Sequence, residues 1–286
     1  MEKKQTLRIG TEGTAFCKHK FNVINELLAD HGYGAIPVMI QVTDGRNDFI
    51  RNAEIALLNN EIDVAVHSLG KLSVNTTDGI RIGAVCAPHN PASCLLIRKE
   101  AYLSGEDLFL KPGALVGVTP LSILQLTSLK SDLKVKIAEG TVIERINALQ
   151  KAEFDAILVS AFELDNCGAD VSEFEILHLN PREFVPAAGQ GVLALQVRAN
   201  DEAILQAVRR VHDNKMFDTI SVERKIHKQL ADVSKICLGV HCAKDHQNYY
   251  HVWAVMQSDA NGIKKIQVSS STSFELAENV VHQLLS

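Results

Sequence analysis

His67 and Ser68 stand where an apolar run of the chain stops. The stretch IDVAVHSLGKLS, residues 62–73, opens with β-branched apolar residues and then turns polar. A histidine beside a serine could act as general base and nucleophile, but such a pair also needs a carboxylate that orients the imidazole. The sequence assigns no such carboxylate. We therefore interpret both residues as polar groups that line a crevice, with Gly70 and Lys71 just beyond them.

Two other groups of residues have types suited to ligand chemistry. Gly10, Thr11 and Thr14 precede an amphipathic helix, whose first backbone N–H groups bind anions without a side-chain charge. In the C-terminal third, cysteines and histidines crowd into CLGVHCAKDHQNYYH, a mixture that can hold zinc. The metal candidates are Cys237, His241, Cys242 and His246, with His251 close by. Their spacing follows no standard ligand pattern, so ordinary strand and turn residues are the favoured interpretation.

The chain around these residues alternates strands and helices. Strands are predicted over TLRIGT, AIPVMIQVT and IDVAVHS, with helices over AFCKHKFNVINELLADHG and FIRNAEIALLNNE. The pattern restarts with strands ALVGVT, KVKIAE and FDAILVS and with helices over LSILQLTSLKSD and VIERINALQKAE. This repetition predicts two α/β lobes with parallel or mixed sheets.

The rest of the chain completes this organisation. The segment PREFVPAAGQGVLALQVR is expected to return to the first lobe as a strand. The last third contains a helix over TISVERKIHKQLAD and strands YYHVWAVMQ and KKIQVSSS around an Asn261-Gly262 turn. It predicts a small α+β domain, with Trp253 in its core.

Composition limits the class of protein. The 286 residues are 46% hydrophobic, enough to bury a full core, and the formal net charge of −5 argues against a nucleic-acid partner. No apolar run approaches the ~20 residues of a membrane-spanning helix, so no membrane partner is expected. The charged start MEKKQTLRIG is unlike a signal peptide. We expect a cytoplasmic protein whose six cysteines are reduced thiols.

Several segments together resemble the hydroxymethylbilane synthase (porphobilinogen deaminase) family. They follow the family's order over nearly the whole chain: LRIGTEGT, EIALLNNEIDVAVHSL, EFDAILVSAFEL, VPAAGQGVLALQVR and SVERKIHKQLADVSKICLGVHC. The resemblance implies an α/β protein of three domains, with two periplasmic-binding-protein-like lobes of mixed sheets plus a small C-terminal α+β domain. We expect lobe 1 at 1–86 and 186–209, lobe 2 at 92–185, and the C-terminal domain at 214–286.

The resemblance also implies a covalent cofactor. In that family a cysteine on a loop of the third domain is linked by a thioether to a dipyrromethane, on which porphobilinogen units are condensed with loss of ammonia. Ser234 stands at this cysteine position. A serine hydroxyl is far less acidic than a thiol and would need a dedicated base. No dipyrromethane is therefore expected, unless another nucleophile such as Cys237 takes over.

The family's catalytic aspartate is replaced as well. In the family this aspartate comes shortly after Ala-Val-His-Ser, interacts with the pyrrole nitrogen and stabilises cationic intermediates. Lys71 stands at its position in this sequence. A fixed ammonium beside a developing cation raises the energy of that cation. Lys71 cannot replace the carboxylate, so no catalytic residue of the family is intact.

The basic residues that hold carboxylates in the family are mostly lost. The positions of family arginines or lysines carry Glu12, Ser122, Ile123, Glu139, Asp165 and Asn166, and only Arg145 remains. The family's long mobile lid is reduced to residues 46–48. The residues expected to line a ligand cleft of neutral to acidic character are Thr11, Thr14, His67, Ser68, Thr119, Arg145 and Gln190.

These departures favour a family member without deaminase activity. Such a pseudoenzyme would bind a small anionic or pyrrolic ligand, or a protein partner, in tetrapyrrole biosynthesis or in another pathway. Two alternatives stay open. The first is an enzyme, either an active, divergent deaminase or a recruited enzyme with a different nucleophile. The second is a metal- or haem-binding protein.

Overall fold

The computed structural model describes residues 5–41, 48–87, 90–231, 237–258 and 262–286. The chain divides into two compact units, which we call unit 1 (Met1–His89 with Gly191–Asp218) and unit 2 (Asn90–Gln190 with Thr219–Ser286). The three-domain boundaries given above stay a prediction.

In chain order the elements are β1 (Thr6–Thr11), α1 (Ala15–Asp30), β2 (Gly34–Met39), α2 (Asp48–Leu58), β3 (Val64–Ser68), β4 (Ile80–Cys86), β5 (Ser93–Arg98), β6 (Leu115–Val118), α3 (Ser122–Leu129), β7 (Lys134–Ile137), α4 (Val142–Gln150), β8 (Ala156–Ser160), α5 (Ala161–Asn166), β9 (Phe174–His178), β10 (Leu193–Arg198), α6 (Glu202–Arg209), α7 (Asn214–Leu230), β11 (Cys237–Lys244), β12 (Tyr250–Ser258), β13 (Gly262–Ser270) and α8 (Leu276–Leu285). The elements from β1 to β3 and from β6 to β8 alternate with helices as predicted, and further strands and helices join them.

The two five-stranded sheets have the same arrangement. In unit 1 the order is β2-β1-β3-β10-β4, and in unit 2 it is β7-β6-β8-β5-β9. The first three strands of each sheet are parallel, and the last two are antiparallel to their neighbours. The predicted fold class, mixed α/β with two sheet lobes and a small additional sheet, is confirmed. β10 also joins the sheet of unit 1, as expected for the returning segment.

The second five-stranded sheet is buried on both faces. Leu95 and Ile97 of β5 pack in one apolar cluster, whereas Cys94 and Leu96 of the same strand pack in another. Successive side chains of a strand point to opposite faces, so each face has its own core.

Helix α4 begins with a capping box, in which Thr141 and Glu144 exchange hydrogen bonds.

The C-terminal sheet, in the order β11-β12-β13, has one buried face and one more open face. Val240, Val252 and Ala254 pack against α7 and α8 in the core. Trp253 points to the opposite face and is half-buried, so the prediction that it lies in the core is wrong. Alternation along β12 explains the error, because Trp253 lies between two core residues of the strand.

A buried carboxylate ties this sheet to the rest of unit 2. Glu223 of α7 is 4% exposed, and its oxygens accept hydrogen bonds from the backbone N–H groups of Gly189 (2.7 Å) and Cys242 (2.8 Å). The adjacent Val240 N–H donates to the carbonyl of Pro186 at 2.9 Å. These bonds hold β11 close to the backbone of residues 185–189.

Two further features concern the whole described chain. No helix among the described residues combines the length and the apolar character needed to cross a bilayer. All six cysteines lie in described segments, and each is a free thiol.

Gly239 allows the close approach of β11 to residues 185 and 186. A Cβ atom at this position would lie 2.6 Å from the carbonyl oxygen of Val185 and 2.8 Å from Cγ1 of Val255. We expect Gly239→Ala to lower the free energy of unfolding by about 1–3 kcal/mol, because backbone must move to admit the methyl group. Urea unfolding would measure this loss.

Gly13→Ala is the matched control. A Cβ atom there has only Cε of Met39 as a neighbour, at 3.6 Å, so its stability should stay within about 0.5 kcal/mol of the parent protein. Equal stability of the Gly239→Ala and Gly13→Ala variants would contradict the packing described here.

Candidate functional site

The carboxyl ends of β1 and β3 form the candidate site in unit 1. The two strands are parallel neighbours, with Gly10 opposite Ala65, so Thr11 and His67 lie at the same edge of the sheet. A Cβ atom at Gly10 would lie 2.7 Å from Cδ1 of Ile62, and glycine therefore permits this close packing. A narrow crevice opens at this edge, lined by Ile9, Gly10, Thr11, Cys17, Lys20, Phe21, Phe49 and Val66.

Lys20 is a crevice residue that sequence reasoning missed. Its side chain is buried, with the residue only 6% exposed, and its Nζ lies 5.0 Å from the ring centroid of Phe16 and 5.7 Å from that of Phe49. The signal was present in the sequence. Lys20 falls on the same helix stripe as Cys17, Ile24 and Leu28, where an apolar residue is the normal choice.

His67 is a buried, neutral imidazole. Burial and then the nearby Lys20 charge lower the pKa of His67 to about 3. Its Nε2 and the Oγ of Ser68 are both buried and have no hydrogen-bond partner within the described part of the chain. A nucleophile–base pair needs a hydrogen bond between its members, and these two atoms form none. Neither residue is among those that line the crevice, so their assignment to a ligand cleft stays a prediction.

The N-terminus of α1 already has a carboxylate beside it. Thr14 caps the helix, because its Oγ1 accepts a hydrogen bond from the backbone N–H of Cys17 at 3.2 Å. The Cys17 thiol donates to Oε1 of Glu12 at 3.0 Å, and burial raises the pKa of this thiol. An external anion at the first turn of α1 would therefore meet the negative charge of Glu12.

Lys71 lies three residues after the end of β3. It lies in a short 3₁₀ segment, Leu69–Lys71, and its side chain is exposed. The shortened lid was predicted at residues 46–48, and residues 42–47 lie outside the described residues.

Arg145 and Thr119 of unit 2 are held by neighbours in the same unit. The Arg145 side chain is buried, with Nη1 donating to the carbonyl of Leu158 at 3.3 Å and Nη2 lying 4.0 Å from Oε2 of Glu163. Burial lowers the pKa of Arg145, and the Glu163 carboxylate acts in the opposite direction. The hydroxyls of Thr119 and Ser122 lie 3.0 Å apart.

Gln190 also has protein partners. Its Nε2 donates to the carbonyl of Pro91 at 2.7 Å and approaches Oγ of Ser93 at 3.3 Å. The amide is thus used in holding two chain segments of unit 2 together, and it would have to give up these bonds to contact a ligand.

The C-terminal cysteines and histidines do not converge. Cys237 and His241 point to one face of β11, whereas Cys242 points into the core, where burial raises its pKa. The segments that the structure describes contain no group of three or more His, Cys, Asp or Glu side chains placed to hold a metal ion. The predicted metal site therefore gains no support. Ser234 lies outside the described residues.

Comparison with known proteins adds to this geometry. The family described as "Porphobilinogen deaminase, dipyromethane cofactor binding domain" matches residues 27–206. The chain is 29% identical to the porphobilinogen deaminase of Streptococcus sanguinis over 249 residues, covering 86% of this chain and 80% of that protein. It is 26% identical to the porphobilinogen deaminase of Oceanobacillus iheyensis over 273 residues, covering 94% and 85%.

Among solved structures, the chain is similar to a methionine-binding protein, MetQ. The TM-score is 0.48 at 12% identity, covering 77% of this chain and 94% of that one. The fold assignment rests on the sheet orders given above and not on this likeness.

The family match spans well over half of the chain, and the relatives agree with it along most of its length. The chain belongs to the porphobilinogen deaminase family.

The buried His67 predicts a pH dependence of stability. An unfolded histidine titrates near ~6.5, whereas His67 in the folded protein has a pKa of about 3. Between these values only the unfolded chain binds the proton, so the contribution of His67 to stability is full above pH ~6.5 and is lost as the pH falls. The slope is at most about 1.4 kcal/mol per pH unit.

We expect His67→Leu to reduce the pH dependence of the unfolding free energy by up to about 1.4 kcal/mol per pH unit between pH ~5 and ~6.5. Urea unfolding at several pH values would measure both proteins. Parallel curves for the parent protein and the variant would contradict a buried, neutral His67.

Proposed function

We propose that this chain keeps the scaffold of its family without the deaminase reaction, and that it acts in the cytoplasm by binding a small ligand or a protein partner. The observation that carries the proposal is Lys71. The resemblance aligns it with the catalytic aspartate, and it lies three residues after the end of β3. The family's reaction passes through cationic pyrrole intermediates, and an ammonium at this place would destabilise them.

The contacts of Arg145 and Glu12 support the same conclusion. Arg145 is the one family arginine that remains among the aligned positions, and its charge is opposed by Glu163 at 4.0 Å. Glu12, at an arginine position of the family, places a carboxylate at the first turn of α1. A substrate with several carboxylates needs guanidinium groups that are available to it, so these residues disfavour such a substrate.

The residues present do not fit the dipyrromethane cofactor. Its carboxylates would meet Ser122, Ile123 and Glu139 where the family has arginines, and the Ser122 hydroxyl is already beside Thr119. The attachment position carries Ser234, whose hydroxyl is a poor nucleophile without a base. We therefore propose that the chain carries no dipyrromethane.

Lys20 supports the binding part of the proposal. The Lys20 ammonium lies beside two aromatic rings and lines the crevice at the strand ends, which would have to widen for a small anionic group to reach it, because it has no space for a water molecule. This favours a small anionic ligand over a polycarboxylate chain.

A bilane-formation assay tests the proposal. The parent protein, Ser234→Cys and the double variant Ser234→Cys/Lys71→Asp would be compared, with the Streptococcus sanguinis deaminase as positive control. We expect no bilane from the parent protein or from Ser234→Cys, because restoring the thiol leaves Lys71 beside the cationic intermediate. Both should be at least about 10²-fold slower than the control, the usual effect of losing one stabilising group.

Bilane formation by the parent protein would contradict the proposal and favour another nucleophile, such as Cys237. Turnover by Ser234→Cys alone would show that Lys71 is compatible with the chemistry and would overturn the charge argument.

A further inference from the structure

Three side chains on the open face of the C-terminal sheet form a continuous hydrogen-bonded line. The Nδ1 of His251 lies 2.8 Å from Oγ of Ser269, and its Nε2 lies 3.1 Å from Oδ2 of Asp245. Serine, histidine and carboxylate in this order are the elements of nucleophilic acyl transfer. The line is separate from the crevice in unit 1 and from every residue used in the proposed function.

The fold fixes this arrangement through strand register and a tight turn. His251 of β12 and Ser269 of β13 are direct cross-strand partners, so their side chains lie on the same face. Asp245 is in the turn between β11 and β12, where its Oδ1 accepts hydrogen bonds from the backbone N–H groups of Gln247 (2.8 Å) and Tyr249 (2.9 Å). One carboxylate oxygen thus anchors the turn, and the other orients the imidazole.

Electrostatics sets the direction of the hydrogen bonds. The hydrogen bond from His251 lowers the pKa of Asp245, and the backbone N–H groups of the turn add to this effect. The ionised Asp245 accepts the proton of Nε2–H, which leaves Nδ1 as the acceptor for the Ser269 hydroxyl. This is the tautomer that a general base requires.

The surroundings are suited to a small ester. The side chains of His251 and Asp245 are 27% and 38% exposed, and Ser269 is exposed, so a substrate can reach the line from solvent. The Trp253 ring lies 6.0 Å from the His251 ring, and it also contacts the His241 ring at 5.8 Å and the Arg182 guanidinium at 4.9 Å. Because β13 is an edge strand of the sheet, alternate N–H groups of residues 262–270 face away from β12 and could donate to an oxyanion.

We propose that Ser269, His251 and Asp245 form a nucleophilic site that takes an acyl group from small aryl esters. Ser269 Oγ attacks the ester carbonyl while His251 Nδ1 takes the hydroxyl proton. The bond to the leaving phenolate then breaks, and His251 returns the proton to it. Water attacks the acyl-serine with the same base, releases the carboxylic acid and restores Ser269. Asp245 is a positioning residue.

A fluorophosphonate probe tests the nucleophile directly. The full chain would be incubated with the probe, and the intact mass and peptide map would then be measured. We expect a single phosphonyl adduct at Ser269, with loss of fluoride, that is absent from Ser269→Ala. His251→Gln should slow the labelling about 10²-fold or more, because it removes the general base.

Ser270→Ala is the matched control. The Ser270 hydroxyl donates to the carbonyl of Thr272 at 2.7 Å, so this variant should be labelled at the parent rate. Absence of an adduct at Ser269, or labelling of equal rate in His251→Gln, would overturn the proposal. Thermal unfolding of each variant tests for a folding defect. Ser269 is exposed and His251 and Ser270 are half-buried, so the unfolding temperature should change little.

Hydrolysis of p-nitrophenyl acetate tests the role of Asp245. Asp245→Asn retains an oxygen for the turn but removes the charge that selects the tautomer. We expect kcat to fall about 10²-fold with KM unchanged, and no change in the unfolding temperature. An unchanged kcat would show that Asp245 stabilises only the turn and does not orient His251, which would contradict the proposed site.

Discussion

In both five-stranded sheets, parallel strands end side by side at one edge, and the residues at that edge are the ones a bound molecule meets. β1 and β3 bring Thr11 and His67 together in this way in unit 1. β6 and β8 are parallel neighbours in the same positions of the sheet in unit 2. Strand topology therefore decides where a ligand can bind, while the side chains at the ends decide which ligand that is.

Charge at these ends is what our proposed function rests on. The resemblance places Lys71, Glu12 and Glu139 at positions where the family has groups of the opposite sign, and Arg145 has the Glu163 carboxylate 4.0 Å away. Glu12 and Glu139 lie in the loops after β1 and β7, Lys71 lies in the 3₁₀ segment after β3, and Arg145 lies in α4. The cores are packed from apolar residues and do not depend on the charges at the strand ends.

Much of the fold followed from the sequence, and part of the site did not. The alternating pattern predicted the lobes and the return of β10, because apolar periodicity is local. The pattern did not single out β4, β5 and β9 as sheet partners. Lys20 was missed because an amphipathic helix commonly contains lysines, and the position of this one on the apolar stripe was overlooked. The contact between His251 and Ser269 depends on the register of β12 against β13. The two residues are eighteen positions apart in the sequence, so local patterns could not predict that they meet.

We propose that the chain does not attach pyrroles covalently. The most direct test is the mass of the intact, denatured protein before and after incubation with porphobilinogen and with preformed bilane. We predict the mass of the unmodified chain under all of these conditions. A covalent pyrrole adduct would contradict the claim, because it would show that another nucleophile has replaced the missing cysteine.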